Sequence, residues 1–309
     1  MHLFAGSSHP ALATALSKEL GAPLGSLISK TFSCGERYVR FGESIRGKDV
    51  YILQTAGKHP NEDLMELFLL CQAAKLSFAK TVHVLLPHMP YARKDRVAEP
   101  REPISAKLIA HLLEEAGADH VILLELHSDQ IQGFFSVPAD ALSSRVIFAE
   151  EFRKKKLKDP VVVAPDVGGA KRAKKFADTL GTPLAILHKS RPEHHKTEIL
   201  EVVGDVEGKT CILYDDIIDT AGTLVAAKDA LLERGANPEI YAAATHAVFS
   251  GPAQQRLAKA GFTEVVVTDS IPPLATGIPS LTVLPIAPML ADVIRHIQSG
   301  KSVTELYRK

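Results

Sequence analysis

The run Lys209-Thr210-Cys211-Ile212-Leu213-Tyr214-Asp215-Asp216-Ile217-Ile218-Asp219-Thr220-Ala221-Gly222-Thr223-Leu224 constrains the chain most, because an apolar stretch breaks into three carboxylates and a small-residue turn before a helical pattern opens. The order predicts a strand, an acidic loop and a helix start. Side chains as small as those of 220–223 let backbone N–H groups face a ligand, and the first N–H groups of the helix expected over 224–235 have no intrahelical partners. They also carry the positive end of the helix dipole, so a phosphate is well placed at their mouth. Asp215 and Asp219 would repel that phosphate, which assigns them to sugar hydroxyls or to a metal at the edge of the cradle. A helix cap needs one Asp. Three acids with two threonines and a glycine go beyond capping and point to a polyol phosphate.

A chain of 309 residues exceeds what one core usually serves, so two domains are expected, with a seam near residue 145. With 36 basic and 36 acidic residues there is no global field for nucleic acid or an anionic membrane, and affinity for phosphate must be local. Cys34, Cys71 and Cys211 form neither a disulfide framework nor a metal-ligand spacing. No apolar run approaches the ~20 residues of a membrane helix, and no basic segment precedes an apolar one at the start. Cytoplasm is the expected compartment.

In chain order, strands are expected at 3–5, 37–41, 49–54, 81–86, 121–126, 161–164, 184–187, 241–245, 265–267 and 281–284, beside the central one at 211–214. Helices are expected at 11–20, 61–78, 104–116, 170–180 and 287–306. The segment 87–103, with four prolines and four Arg or Lys, reads as a mobile loop. Repeated β-α alternation with such apolar strands implies α/β architecture: mostly parallel sheets covered by helices on both faces. Two stretches imitate phosphate loops and fail on context. Gly42 to Asp49 has Asp where magnesium would want Ser or Thr, Gly204 to Thr210 is one residue short, and both run into strands.

In open α/β sheets the ligand crevice lies outside the carboxyl ends of the strands. His127, Asp166, Lys189, Arg191, Asp215 and Asp216 all follow expected strands closely. His127 and Asp166 form a sparse donor set that suits Mg2+ held largely by phosphates and water. Lys189 and Arg191 are cations of the kind that stabilise a phosphoryl group in flight. Arg93 and Lys94 are placed to clamp a nucleotide triphosphate.

Several signals agree on one family in the same order along the chain. Phe32-Ser33-Cys34-Gly35-Glu36, Arg46 to Tyr51, Asn61 to Leu67, Tyr91 to Arg96, His127 with Gln130 to Phe135, Pro165 to Arg172 and Asp215 to Thr223 resemble ribose-phosphate pyrophosphokinases. The acidic loop alone also resembles that of phosphoribosyltransferases. The resemblance implies two phosphoribosyltransferase-like domains, 1–145 and 146–292, with the last helix, 293–309, returning to the first. It implies transfer of the β,γ-pyrophosphoryl group of ATP to the anomeric hydroxyl of ribose 5-phosphate. It further implies Mg2+ bound by His127 and Asp166, catalysis by Lys189 and Arg191, and ATP contacts from Arg93 and Lys94. Phe32, Cys34, Gly35 and Glu36 would meet the adenine end from a neighbouring subunit. Arg191, Asp215, Asp216, Asp219, Thr220, Ala221, Gly222 and Thr223 would hold ribose 5-phosphate. The common class implies a homo-oligomer, commonly a hexamer, with inorganic phosphate as activator and ADP as inhibitor. The chain departs from the family's usual pattern at Cys34, for Asn or Asp, at Lys94, for Gln, and at Glu125, for Asp. Ala98 and Glu99 make its loop less basic.

Overall fold

The computed structural model describes residues 1–190, 199–273 and 277–307, leaving aside the side chains of 189, 190, 199, 200, 305 and 307. The chain divides into two compact units, one of 1–143, 270–272 and 285–308, the other of 144–269 and 273–284, with residue 309.

The first unit opens with β1 (His2–Ala5) and α1 (Pro10–Leu20), which stops at Gly21 in the left-handed region. A hairpin of β2 (Leu27–Thr31) and β3 (Arg37–Phe41) forms a separate two-stranded sheet. Then come β4 (Asp49–Leu53), α2 (Pro60–Leu76), β5 (Thr81–Leu86), α3 (Ser105–Ala116), β6 (His120–Leu124) and β7 (Ala139–Leu142). β1, β4, β5, β6 and β7 make a five-stranded parallel sheet in the order β1-β4-β5-β6-β7. Because side chains alternate across a strand, Val50, Ile52, Val82, Val84, Val121 and Leu123 share one face. They pack into a core with Leu64, Leu67 and Cys71 of α2 and Leu113 of α3.

The second unit contains α4 (Arg145–Lys155), β8 (Pro160–Ala164), α5 (Ala170–Leu180), β9 (Leu184–Ser190), β10 (Ile199–Val203) and β11 (Thr210–Ile218). α6 (Gly222–Glu233), β12 (Ile240–Ala247), α7 (Ala253–Ala260), β13 (Glu264–Thr268) and β14 (Leu281–Leu284) follow. Its seven strands run β10-β9-β8-β11-β12-β13-β14, parallel except for the β10-β9 pair. β11 is central, and its residues alternate between two cores. Cys211 and Leu213 join Leu224 and Leu231 of α6, while Ile212 and Tyr214 join Phe148, Phe152 and Phe176 of α4 and α5. Tyr214 and Phe176 stack at 4.2 Å. The last helix, α8 (Ala287–Gln298), belongs to the first unit, where Arg295 donates to the carbonyl of Glu19.

Several elements differ from the sequence expectation. β2, β7, β10, α4 and α7 are not in the periodicity reading; β2, for example, buries no residue fully, while α4 buries Phe148, Ala149 and Phe152 ahead of a basic end. The helix expected over 287–306 ends at Gln298, and Gly300 at φ 68 separates it from a 3-10 turn at Val303–Tyr307. The 87–103 segment is not bare loop. Glu102 accepts from the N–H groups of Ala98 and Glu99 and from Lys94 Nζ at 2.6 Å, Tyr91 Oη donates to Asn61, and Gln130 Nε2 donates to Asp95. No described helix is long and apolar enough to cross a membrane.

A polar row crosses the first sheet. Tyr51 of β4 stacks on His83 of β5 at 4.4 Å, His83 Nδ1 lies 3.0 Å from His120 Nδ1 of β6, and His120 Nε2 lies 3.2 Å from Asp140 of β7. Burial, then the neighbouring His120, lowers His83 from its ordinary 6.5 to about 4. The neutral ring is therefore the folded form, and the unfolded chain binds the proton first as pH falls. Stability from this row is present above 6.5 and drains away toward pH 4. We expect the thermal midpoint of the wild type to drop more between pH 7 and 4.5 than that of His83→Phe, which retains a ring against Tyr51. Parallel profiles in a thermal melt series would refute this.

Candidate active site

β11 does not stop at Tyr214. It runs through Asp215 and Asp216 to Ile218, and Asp215 pairs in register with Ala244 of β12. The first two acids are thus strand residues, and only Asp219 lies in the loop. Arg172, one turn into α5, reaches them both: Nη1 donates to Asp216 Oδ1 at 2.8 Å and to Asp215 Oδ1 at 3.1 Å. Asp216 is buried and Asp215 partly so. Burial, with the neighbouring Asp216 next, pushes the Asp215 carboxyl well above the usual carboxylate range, and Arg172 offsets part of that rise.

The loop after β11 turns at Ala221, which sits at φ 61 in the left-handed region at the N-cap of α6. An L residue there costs roughly 1–2 kcal/mol, so the surrounding contacts must hold it. Ala221 is buried, and its carbonyl accepts from Val225 N, closing the first helical turn. Gly222, Thr223 and Leu224 follow with N–H groups at the helix mouth, free of intrahelical partners by geometry. Thr220 and Thr223 are exposed beside them. The arrangement is an anion cradle of backbone donors at a helix N-terminus.

A second segment walls this loop. Phe249 N donates to Ile218 O and Ser250 N to Asp219 O, each at 3.0 Å, while Ser250 Oγ donates to Asp219 Oδ1 and Arg256 Nη1 to Thr220 O at 3.0 Å. Sequence reasoning missed Ser250 and Arg256. The signal was available: β12 lies beside β11, so the connection after it must run past the same sheet edge, and Gly251-Pro252 marks its turn. On the other side of β11, the loop after β8 carries Asp166, exposed, with Oδ1 accepting from Gly169 N at 2.8 Å. The backbone of Lys189 lies in β9 opposite Leu200. Its side chain and the whole of Arg191 lie outside the described residues.

The first unit holds the remaining candidates. Phe32 is exposed at the tip of the β2-β3 hairpin, where Phe32 N donates to Glu36 O at 2.8 Å and Gly35 N to Phe32 O at 2.9 Å. Cys34 is an exposed free thiol, and Gly35 adopts φ 94. Buried Glu66 of α2 ties this hairpin down, accepting from Ser29 Oγ at 2.5 Å, Ser7 Oγ at 2.6 Å and Gln54 Nε2 at 2.9 Å, with Arg37 at 3.4 Å. Arg93 and Lys94 are exposed, and Lys94 is engaged by Glu102. His127 is exposed two residues after Glu125, whose φ of 43 ends β6. Among the described residues no three His, Cys, Asp or Glu side chains gather as a metal cluster. His127 in the first unit and Asp166 in the second are each an accessible single donor, of the kind a hard cation takes when its other oxygen ligands come from phosphate and water.

Comparison with known proteins adds a consistent finding. Residues 1–117 match the model of the N-terminal domain of ribose phosphate pyrophosphokinase, and residues 189–308 match the phosphoribosyl synthetase-associated domain. The ribose-phosphate pyrophosphokinase of Helicobacter hepaticus is 45% identical over 99% of this chain and 98% of its own. That of Caldanaerobacter subterraneus is 46% identical over 99% and 98%. The crystal structure of phosphoribosylpyrophosphate synthetase from Mycobacterium smegmatis superposes with a TM-score of 0.91 at 45% identity, covering 97% of this chain and 99% of that one.

Arg172 yields a test of the acid pair. Removing one partner of a buried ion pair typically costs about 3–5 kcal/mol. Arg172→Ala also raises the Asp215 carboxyl further, so the penalty grows as pH rises through that group's folded pKa. We expect denaturant unfolding to show a larger loss at pH 7.5 than at pH 5; an equal loss at both would mean that Arg172 does not compensate the carboxylates.

Proposed function

The chain belongs to the ribose-phosphate pyrophosphokinase family, and from that premise we propose how its residues divide the making of phosphoribosyl pyrophosphate and AMP from ribose 5-phosphate and ATP. The anomeric hydroxyl oxygen attacks the β-phosphorus. The bond from that phosphorus to the bridging oxygen of the α-phosphate breaks, AMP leaves with the electron pair, and the hydroxyl proton is lost.

The second unit takes the sugar. The 5-phosphate sits on the N–H groups of the 222–224 turn, with Thr220 and Thr223 hydroxyls beside it. The Asp219 carboxylate, held by Ser250, accepts from ribose hydroxyls, and Asp215, within β11, contributes to the same ligand. Asp216 serves through Arg172 by fixing the strand end. The observation that carries this reading is the left-handed turn at Ala221 opening α6, because it aims a row of backbone donors at one point directly after three carboxylates. An anion for the donors and a polyol for the acids are the two halves of a sugar phosphate.

The first unit takes the nucleotide. Arg93 and Lys94 meet the phosphates, which for Lys94 means exchanging Glu102 for a more highly charged partner. Phe32, exposed at the hairpin tip with Cys34, Gly35 and Glu36, offers a flat face to the adenine of a neighbouring subunit. Lys189 and Arg191 offset the charge that builds on the transferred group. The family uses a divalent metal, here Mg2+, held by His127 and Asp166; when bound it neutralises phosphate oxygens. We further infer a cytoplasmic homo-oligomer, a hexamer, activated by inorganic phosphate and inhibited by ADP.

The direct test is AMP release by the purified protein given ATP, Mg2+ and ribose 5-phosphate, with each omitted in turn. AMP is expected only with all three, matched by phosphoribosyl pyrophosphate. Lys189→Ala should lower kcat by at least ~10²-fold, the scale of losing one preorganised stabilising group. Near-native turnover would remove Lys189 from the chemistry.

A further inference from the structure

The cradle has an imbalance of charge. Asp215, Asp216 and Asp219 precede the turn proposed to take a phosphate dianion, and Arg172 is committed to the first two acids. Backbone donors alone carry only a partial positive charge. Arg256, on α7, is an exposed cation built into the rim of this loop. Its Nη1 donates to Thr220 O at 3.0 Å and lies 3.3 Å from where a Cβ on Gly222 would stand. The guanidinium therefore lies close to the backbone of the first residue of α6, and a side chain at 222 would press on it. Arginine has five N–H donors in a planar fork that matches phosphate oxygens, and one is used on Thr220.

We infer that Arg256 is a ligand of the 5-phosphate: one arm of the guanidinium fastens the loop through Thr220 O, and the other donates to a phosphate oxygen held by the helix-mouth N–H groups. This rests on the reading of the 219–223 loop as the ribose 5-phosphate site. Arg256 thus supplies the full positive charge that the acids around the loop withhold. It also selects for the phosphorylated sugar, because an unphosphorylated pentose leaves the cation unmatched.

Three substitutions separate the two arms. Arg256→Gln keeps a donor for Thr220 O and loses the charge, Arg256→Lys keeps the charge and loses the fork, and Arg256→Ala loses both. We expect Gln and Ala to raise the KM for ribose 5-phosphate at least about tenfold, the scale of one hydrogen bond to a charged group, with Lys in between. The KM for ATP should stay within about twofold and kcat at saturation within about threefold. The thermal shift produced by ribose 5-phosphate alone should shrink in the same order, while the ligand-free midpoint of Arg256→Gln stays native. A native KM and thermal shift in Arg256→Gln would overturn the inference and leave Arg256 as a loop fastener. Asp219→Asn in the same series guards the premise, since it should weaken ribose 5-phosphate more than ATP. If Asp219→Asn raises that KM and no Arg256 variant does, the arginine contact is wrong and the loop assignment stands. If none of the four variants changes it, both fall.

Discussion

The contact of Arg172 with Asp215 and Asp216 is the interaction on which the second unit's site depends. Two adjacent carboxylates at the end of a central strand repel each other and lose hydration there, and unpaired they would cost several kcal/mol. A single guanidinium nitrogen within 3.1 Å of both makes the arrangement tenable. It also fixes α5 against the end of β11, so the turn that begins at Asp219 starts from a rigid point. Preorganisation of this kind is what a loop of small residues cannot provide for itself.

From that anchor the backbone does unusual things. Ala221, Phe249, Glu125 and Tyr91 all hold positive φ, and each lies within a few residues of a candidate ligand contact: the cradle, Ser250, His127 and Arg93. Other left-handed residues have local explanations, such as Lys156 at the end of α4. At Phe249, Glu125 and Tyr91 no helix end calls for the conformation. The neighbouring hydrogen bonds enforce it: Phe249 N on Ile218 O, Glu125 N on Leu142 O, Tyr91 Oη on Asn61. Backbone strain of this kind persists only where surrounding contacts hold it.

The sequence made the sheets legible because their strands are buried on both faces and read as unbroken apolar runs, Val161 to Ala164 and Val265 to Val267 among them. It made α5 legible to the residue, since its apolar spacing ends at Gly181. It misjudged the end of β11, because carboxylates in a strand look like a loop until a cation from another element is seen to hold them. Arg172 lies in one motif and Asp215 in another, and nothing in the sequence joins them, since 43 residues separate the two. Ser250 and Arg256 were invisible for the same reason. They act on a loop about 30 residues away in the chain, and only the adjacency of β11 and β12 brings them to it.

Two carboxylates, Glu66 buried and Asp215 partly so, show how one chemical group serves opposite ends. Burial alone would raise Glu66, yet donors from Ser29, Ser7 and Gln54 outweigh it and hold the group below its ordinary range. It is a fixed charge that locks the β2-β3 hairpin to the ends of β1 and β4. Asp215 meets the same burial with a second carboxylate beside it and one shared cation, and it is pushed the other way. Each Glu66 oxygen already has a donor, Ser29 on Oε1 and Ser7 and Gln54 on Oε2, so its part is architectural. An under-satisfied one such as Asp215 still gains from a new donor. The difference between the two carboxylates therefore lies in how many donors the fold brings to each oxygen.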